Sequence, residues 1–371
     1  MAHVAVNAHL LSGEASYRSA GIHGYIYNSL KHLPQADPDL ALSVMVGAGT
    51  PPTDPALHVL RSRLPTAHPL ARILWEQLLA PATLNRLQPD LHHGMAFVTP
   101  LLWGGPSVIT IYDLSFIRYP QRLSAARRLY LRTFTRSAAH RARRVIAISE
   151  SGRQEIHTLL DVPLNQIDAA PPGVREGFYP RDTTAFRARH GLPDRFILHV
   201  GTLEPRKNLE TLVRAYEHLP QRDEVNLVLV GGRGWQTEAL FALIERVGGI
   251  ILPGYVPDAD LPYWYSAAEL CVYPSVYEGF GIPVIEAASC GTPVVVADTT
   301  SLPEAVGPHG VMVPPHDVQA WTDVMAALLD DPTQRATLTD LDRQHAARYT
   351  WANTSRQIAT AYRHALGEGP V

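Results

Sequence analysis

Cysteine is scarce in this chain. Only Cys271 and Cys290 occur among 371 residues, both in apolar stretches. That excludes a disulfide framework and a cysteine metal cage, and it fits a reducing cytoplasm. Lysine is as rare: of 32 basic residues only Lys31 and Lys207 are lysines. Arginine, alanine and proline are favoured instead, so a lysine kept against that bias draws attention. No apolar run approaches the ~20 residues that span a bilayer. The formal net charge is −3, so no whole-chain field attracts nucleic acid, and an acidic solvating tail is equally absent. The opening Met1-Ala2-His3-Val4 runs straight into a strand-like pattern without the basic and apolar regions of a signal peptide. The expected location is cytoplasmic. No internal repeat or low-complexity segment appears.

What is present is an ordinary packed composition, 46% apolar and 18% charged, over a length that predicts two domains of roughly 180 residues. Short apolar runs alternate with helical patterns. Val4 to Asn7, Leu40 to Val46, Asp90 to His93, Val108 to Ile111 and Val145 to Ile148 read as strands. A Ser/Gly-rich loop, Ser12 to Gly24, follows the first of them, and Ala71 to Leu87 reads as a helix. A second series follows a proline-rich joint: strands at Phe196 to Val200, Leu227 to Val230, Ile250 to Leu252, Leu270 to Tyr273 and Val294 to Val296, with a helix over Asn208 to Leu219. The pattern predicts βαβ units and parallel sheets covered on both faces. The fold class is α/β: two doubly wound domains, with the cleft between their strand C-termini as the expected ligand site. The boundaries are 1–170, a linker at 171–182, a second domain at 183–350 and a last helix, 351–371, packing back on the first domain.

The strongest chemical signal is Tyr277-Glu278-Gly279-Phe280-Gly281-Ile282-Pro283-Val284-Ile285-Glu286. Pro283 suits the first turn of a helix, where its missing N–H costs nothing. The glycines let a ligand approach the backbone, and the helix start offers free N–H groups and a positive dipole end to an anion. Glu278 and Glu286 are placed to meet hydroxyls on either side of a diphosphate. Taken alone, the same acidic residues could merely complement the helix dipole. A second motif, Gly201-Thr202-Leu203-Glu204-Pro205-Arg206-Lys207-Asn208, follows a strand and opens a helix. Arg206 offers a planar fork of donors and Lys207 a point charge, a pairing suited to phosphate oxygens.

Together these residues resemble the family 4 glycosyltransferases, retaining enzymes of the GT-B fold, in which two Rossmann-like domains face a central cleft. The resemblance extends to Gly21-Ile22-His23-Gly24-Tyr25, Pro89 to His92, Thr110 to Leu114, Ile148 to Ser151, Pro172-Gly173-Val174 and Gly254 to Pro257. The Glu-x7-Glu pair at Glu278 and Glu286 is its most specific element. It implies that Arg206 and Lys207 bind the donor diphosphate and stabilise the leaving nucleotide. Glu278 would touch donor-sugar hydroxyls, with the backbone of Phe280, Gly281 and Ile282 beside sugar and phosphates. Glu286 would hold ribose hydroxyls, Tyr255 and Val256 would lie near the base, and Gly201 and Thr202 would border the donor. Gly21 would approach the diphosphate from the first domain. Tyr112 and Asp113 stand where many relatives have His-Asp near the reacting carbon, and a tyrosine with an ordinary pKa near ~10 is a poor base. His23 and His93 are the acceptor-side candidates. Retention in the family is written as same-face attack assisted by the departing phosphate. The cations come from protein, so neither metal nor cofactor is implied.

Other signals are set aside. Asp258-Ala259-Asp260 has D-x-D spacing, but Asp260 is read as a helix cap. His92 and His93 are adjacent on a strand and face opposite ways. Gly231 to Gly234 lacks the dinucleotide spacing. The Arg-rich stretch from Arg122 to Arg144 is read as a solvated helix, with peripheral membrane contact left open. The expected function is metal-independent hexose transfer, with a lean to mannose from GDP-mannose, onto a saccharide or lipid-linked acceptor, and no nucleic-acid partner. The alternatives are a non-catalytic nucleotide-sugar-binding scaffold of the same fold and an epimerase acting on a UDP-sugar.

Overall fold

A computed structural model describes residues 1–11, 20–62, 64, 66, 68–119 and 123–369. Ser12 to Ser19 of the expected first loop and Arg122 of the Arg-rich stretch lie outside the described residues. The chain forms two compact units. One comprises Met1–Gly173 with Thr350–Val371, the other Val174–Tyr349.

The first unit is built on a parallel sheet of seven strands: β1 (Ala2–Asn7), β2 (Leu40–Val46), β3 (Leu57–Arg61), β4 (Leu91–Gly94), β5 (Ser107–Ile111), β6 (Arg144–Ala147) and β7 (Ile167–Ala169). Their order is β3-β2-β1-β4-β5-β6-β7, so the chain reverses its direction of growth between β1 and β4. The strands read as continuous apolar runs because helices cover both faces. Even the polar residues of β4 and β5, His92, His93 and Thr110, are fully buried. The last helix, Trp351–Leu366, lies in this unit against the helix Ala20–Ala36. Ser355 Oγ donates to Ser29 O at 3.1 Å, and Arg363 grips both oxygens of Asp37 at 2.7 Å.

The second unit repeats the plan with β8 (Phe196–Val200), β9 (Asn226–Val230), β10 (Ile250–Gly254), β11 (Leu270–Tyr273), β12 (Val294–Ala297) and β13 (Val311–Val313). Their order is β10-β9-β8-β11-β12-β13, with every pairing parallel. The switch point therefore falls between β8 and β11. Open α/β sheets bind ligands beyond the strand C-termini at such a point.

Several elements differ from the sequence reading. Gly21 to Tyr25 belong to the helix beginning at Ala20, not to a loop. The expected helix at Ala71 starts at Pro69 and continues to Leu87 through a π-turn over Trp75–Leu79. Strands β3, β7 and β13 were not anticipated; they are sheet-edge strands of three to five residues, too short for a readable alternation. Asp260 does precede the helix Leu261–Ala267, but its side chain makes no cap bond because its backbone is already helical, φ −89° and ψ −22°.

Candidate active site

The segment leaving β8 turns sharply and is tied to the segment leaving β9. Leu203 N–H donates to Gly232 O at 3.0 Å, and Gly234 N–H returns to Leu203 O at 2.9 Å. Gly231 makes this approach feasible. Its φ is +148°, and a Cβ there would lie 2.0 Å from Gly201 O. The segment then forms a single 3₁₀ turn, Pro205–Lys207, which ends at Asn208 in the left-handed region with φ 53°. Asparagine tolerates that conformation better than most residues. Its side-chain amide donates to Pro274 O at 3.1 Å and Pro315 O at 2.5 Å, and Val276 N–H donates to Arg206 O at 2.9 Å. The turn after β8 is thereby fastened to the loop after β11, across the switch point.

That fastening brings three candidates together. Arg206 donates to Glu278 Oε2 at 2.7 Å and to Tyr277 O at 3.0 Å, and Lys207 Nζ meets Glu278 Oε1. Arg206 Nε also pairs with Glu204, whose role the sequence reading missed. Lys207 and the Glu278 side chain are nearly closed to solvent, at 7% and 11% exposure. Burial favours the neutral form of Glu278, but Lys207 and Arg206 outweigh it and hold the carboxyl at about 2. Burial also lowers the Lys207 ammonium, and Glu278 opposes that shift. At neutral pH the group is a cation–anion–cation array poised behind the switch point.

Glu278 is followed by a loop whose carbonyls are collected by one hydroxyl. Ser301 Oγ lies 2.9 Å from both Glu278 O and Phe280 O, and Glu278 N–H donates to Thr300 Oγ1 at 3.2 Å. Gly281, at φ +111°, is the N-cap of the helix Ile282–Ser289, with Pro283 in its first turn. Phe280 is buried. Glu286 sits within that helix and belongs to a different cluster from Glu278. Its Oε1 is 2.5 Å from Arg175 Nε, and Arg175 also reaches Asp258 at 2.7 Å. Tyr265 OH stands 3.5 Å from the other oxygen. Burial raises the Glu286 carboxyl even against Arg175. Arg175 was missed by sequence reading; its signal was a cation in the joint of an otherwise apolar Pro-Pro-Gly-Val run. Tyr255, half exposed, and Val256, buried, follow the end of β10.

A further residue was missed. His199 is the polar exception in β8 and is fully buried. Its Nδ1 is 2.9 Å from Val272 O, and its Nε2 has no partner among the described residues. A Cβ on Gly201 would lie 3.2 Å from that Nε2 and 3.6 Å from Lys207 Nζ, so the two nitrogens border the same notch. Thr202 follows in the same turn. Burial pushes the His199 ring down to about 4.

The candidates of the first unit are placed differently. Gly21 and His23 lie in the opening turns of the helix Ala20–Ala36, where Gly21 faces open space and the His23 ring is 6.0 Å from that of Tyr27. Tyr112 is buried, donates to Met95 O at 2.8 Å, and sits edge-on to Tyr25 and Phe97. Asp113 Oδ1 accepts from Ser115 N–H at 2.8 Å at the start of the helix Ser115–Arg118. His93 corrects the acceptor-side expectation. It is fully buried, with Nδ1 2.7 Å from Tyr362 OH and Nε2 2.8 Å from Thr110 Oγ1, so both ring nitrogens are spent inside the unit. Among the described residues no group of three or more His, Cys, Asp or Glu could hold a metal ion. Among them, too, no helix is long and apolar enough to cross a membrane.

Comparison with known proteins supplies the family. Residues 181–345 match the family described as glycosyl transferases group 1, and residues 20–177 match glycosyltransferase family 4. The chain is 35% identical over 282 residues to the O-antigen chain mannosyltransferase B of Escherichia coli, covering 74% of each. It is 35% identical over 242 residues to a D-inositol 3-phosphate glycosyltransferase of Thermobispora bispora, covering 61% of this chain and 56% of that protein. Among solved structures, sucrose-phosphate synthase from Thermosynechococcus elongatus superposes with a TM-score of 0.76 at 22% identity, covering 99% of this chain and 100% of that one. The two doubly wound units with their Glu278–Arg206–Lys207 array thus have a family: the chain belongs to the family 4, group 1 glycosyltransferases of the GT-B fold.

Proposed function

We propose that the chain is a retaining, metal-independent hexosyltransferase of polysaccharide synthesis, taking mannose from GDP-mannose to a saccharide or lipid-linked acceptor. The observation that carries this reading is the buried Arg206–Glu278–Lys207 array at the switch point of the second unit. Preorganised cations in a water-poor site stabilise charge that develops on a leaving group. Arg206 and Lys207 turn their N–H donors from Glu278 to the diphosphate as the donor arrives. Glu278, held ionised, accepts from hydroxyls of the transferred sugar. Glu286 takes ribose hydroxyls with the oxygen that Arg175 leaves uncovered. In the reaction the bond from the anomeric carbon to the phosphate oxygen breaks. The acceptor oxygen forms its bond on the same face, and its proton passes to the departing phosphate. The two protein cations supply positive charge that a metal supplies in other transferases. The mannose choice is supported by the O-antigen mannosyltransferase relative.

A lipid-linked acceptor would bring the protein to the inner face of a membrane as a peripheral guest. Leu70, Leu74 and Leu78 support this, standing exposed at four-residue spacing along one helix. Incubation with labelled GDP-mannose, EDTA and a set of α-mannoside acceptors tests the reading, with NMR of the product's anomeric proton. An α-linked product formed without metal agrees with it. Transfer only with added magnesium, or a β-linked product, contradicts it. Nucleotide-sugar binding without any transfer favours the scaffold, and interconversion of a UDP-sugar without an acceptor favours the epimerase.

A further inference from the structure

A second polar cluster, outside the donor chemistry, lies at the C-terminal edge of the first unit's sheet. His9 stands just beyond β1. Its backbone N–H and its Nδ1 both address Asn7 Oδ1, at 3.2 and 2.8 Å. Because a backbone N–H must donate, that Asn7 atom is the amide oxygen, so Nδ1 carries the ring proton and Nε2 presents a lone pair. His9 is 4% exposed, and its Nε2 has no partner among the described residues. The ring lies on Trp75, with centroids 3.8 Å apart.

Trp75 opens the π-turn that interrupts the helix from Pro69 to Leu87. The widened turn carries Trp75 and the adjacent Glu76 inward together, while Leu74 and Leu78 on either side face out. Glu76 is 2% exposed, and its Oε1 has no hydrogen-bond partner among the described residues; Arg72 Nε is 4.0 Å away. Burial raises the carboxyl to about 7, against the opposing pull of Arg72 and of hydrogen bonding from Asn7 and Tyr130. Tyr130 joins Glu76 and Gln77 in this hydrogen-bonded group, and Thr66 Oγ1 is also without a partner among the described residues. A Cβ on Gly47 would lie 2.0 Å from Thr66 Oγ1 and 3.4 Å from the His9 ring, so Thr66 and His9 share one wall.

Buried polar atoms are normally paired, and each left unpaired costs the group its desolvation. Three of them gathered past β1, on His9, Glu76 and Thr66, call for a ligand rich in hydroxyls, each of which can both donate and accept. Both ionisable members suit a neutral polyol better than an anion: His9 is held neutral and Glu76 carries negative charge when ionised. We propose that His9, Glu76 and Thr66 form a hydroxyl-recognising subsite for the saccharide acceptor. The assignment rests on the glycosyltransferase reading above. An acceptor hydroxyl donates to His9 Nε2, and another exchanges hydrogen bonds with Glu76 Oε1. The atoms lie beneath the surface, so the acceptor reaches them as the π-turn segment yields, a place where the regular helical ladder is already broken.

The test uses Glu76→Gln and His9→Phe, with Thr66→Val as a shape-preserving third variant should either fail to fold. Methyl α-mannoside, methyl α-galactoside and methyl N-acetyl-β-glucosaminide serve as acceptor probes. Occupancy is read from the emission difference between wild type and Trp75→Phe, and nucleotide affinity from GDP titration. The proposal expects an acceptor KM raised about tenfold or more, as for one lost hydrogen bond of about 1.4 kcal/mol, with GDP affinity and thermal midpoint unchanged. An unchanged KM overturns it. So does a joint fall of KM quality, GDP affinity and thermal midpoint, which marks a purely structural cluster. If wild type binds GDP but no probe is used or alters Trp75 emission, the subsite is wrong and the donor reading stands. If GDP fails to bind while a probe still perturbs Trp75, the donor reading is wrong and the subsite stands.

Discussion

Replacing Glu278 by glutamine removes the carboxylate that both Lys207 and Arg206 hydrogen-bond, at nearly constant shape. The Glu278 carboxyl falls from the ordinary 4.5 to about 2 in the folded chain. At ~1.4 kcal/mol per pKa unit, that shift is a contribution of roughly 3 kcal/mol. The sign follows from the direction. A depressed folded pKa stabilises above the unfolded value and is lost as pH falls through the folded one, so the contribution is complete above about 4.5 and fades toward about 2. For a unit spanning Val174–Tyr349, a loss of this size lowers the thermal midpoint by roughly 6 to 12 °C. Calorimetric melts of wild type and Glu278→Gln at neutral pH should show that gap, and by about pH 3 it should shrink to less than half. Sugar transfer should drop by about 100-fold or more. Equal midpoints at neutral pH, or a gap that widens in acid, would refute the reasoning, because Glu278 would then not be the counter-charge of the array.

Asp342 has its carboxyl raised to about 7 by burial, and its Oδ2 accepts from Val294 N–H at 2.9 Å. A raised folded pKa stabilises in acid and is lost as pH rises through about 7. Asp342→Asn should therefore gain stability relative to wild type as pH rises from about 4 to about 7 and hold that gain above it, read from urea midpoints, and a constant difference from about pH 4 to 7 contradicts this. Arg175→Gln leaves Glu286 buried without its cation and should weaken nucleotide binding by about tenfold or more; unaltered affinity in a folded variant separates Glu286 from the nucleotide. Tyr112→Phe should cost about 1 kcal/mol through the lost bond to Met95 O, with transfer rate held. A rate collapse at unchanged stability would instead place the Tyr112 hydroxyl on the substrate.

Most of the second unit was legible because its chemistry is local. Arg206, Lys207 and Glu278 lie in short turns directly after strands, and strand ends meet wherever a doubly wound sheet forms. What could not be read were relations between segments far apart in sequence. Arg175 meets Glu286 across 111 positions, and Glu204 shows its role only once the 3₁₀ turn folds it back on Arg206. His93 looked available at a strand end, yet its partner Tyr362 comes from the last helix, 269 positions away. The His9–Glu76 cluster was hidden by the π-turn, which breaks the 3.6-residue period on which an inward or outward assignment depends. The three short edge strands failed for the opposite reason, carrying too few residues to show any period.

The most direct test of the donor site is a calorimetric titration of the purified protein with GDP, UDP, ADP and TDP in excess EDTA. Lys207→Ala and Arg206→Ala are titrated alongside. The account predicts saturable binding of one nucleotide without metal, with affinity falling in both variants, since charge-assisted bonds to phosphate are among the strong ones. Binding that is absent with and without magnesium, or that survives both substitutions, would contradict the placement of the diphosphate on the turn after β8.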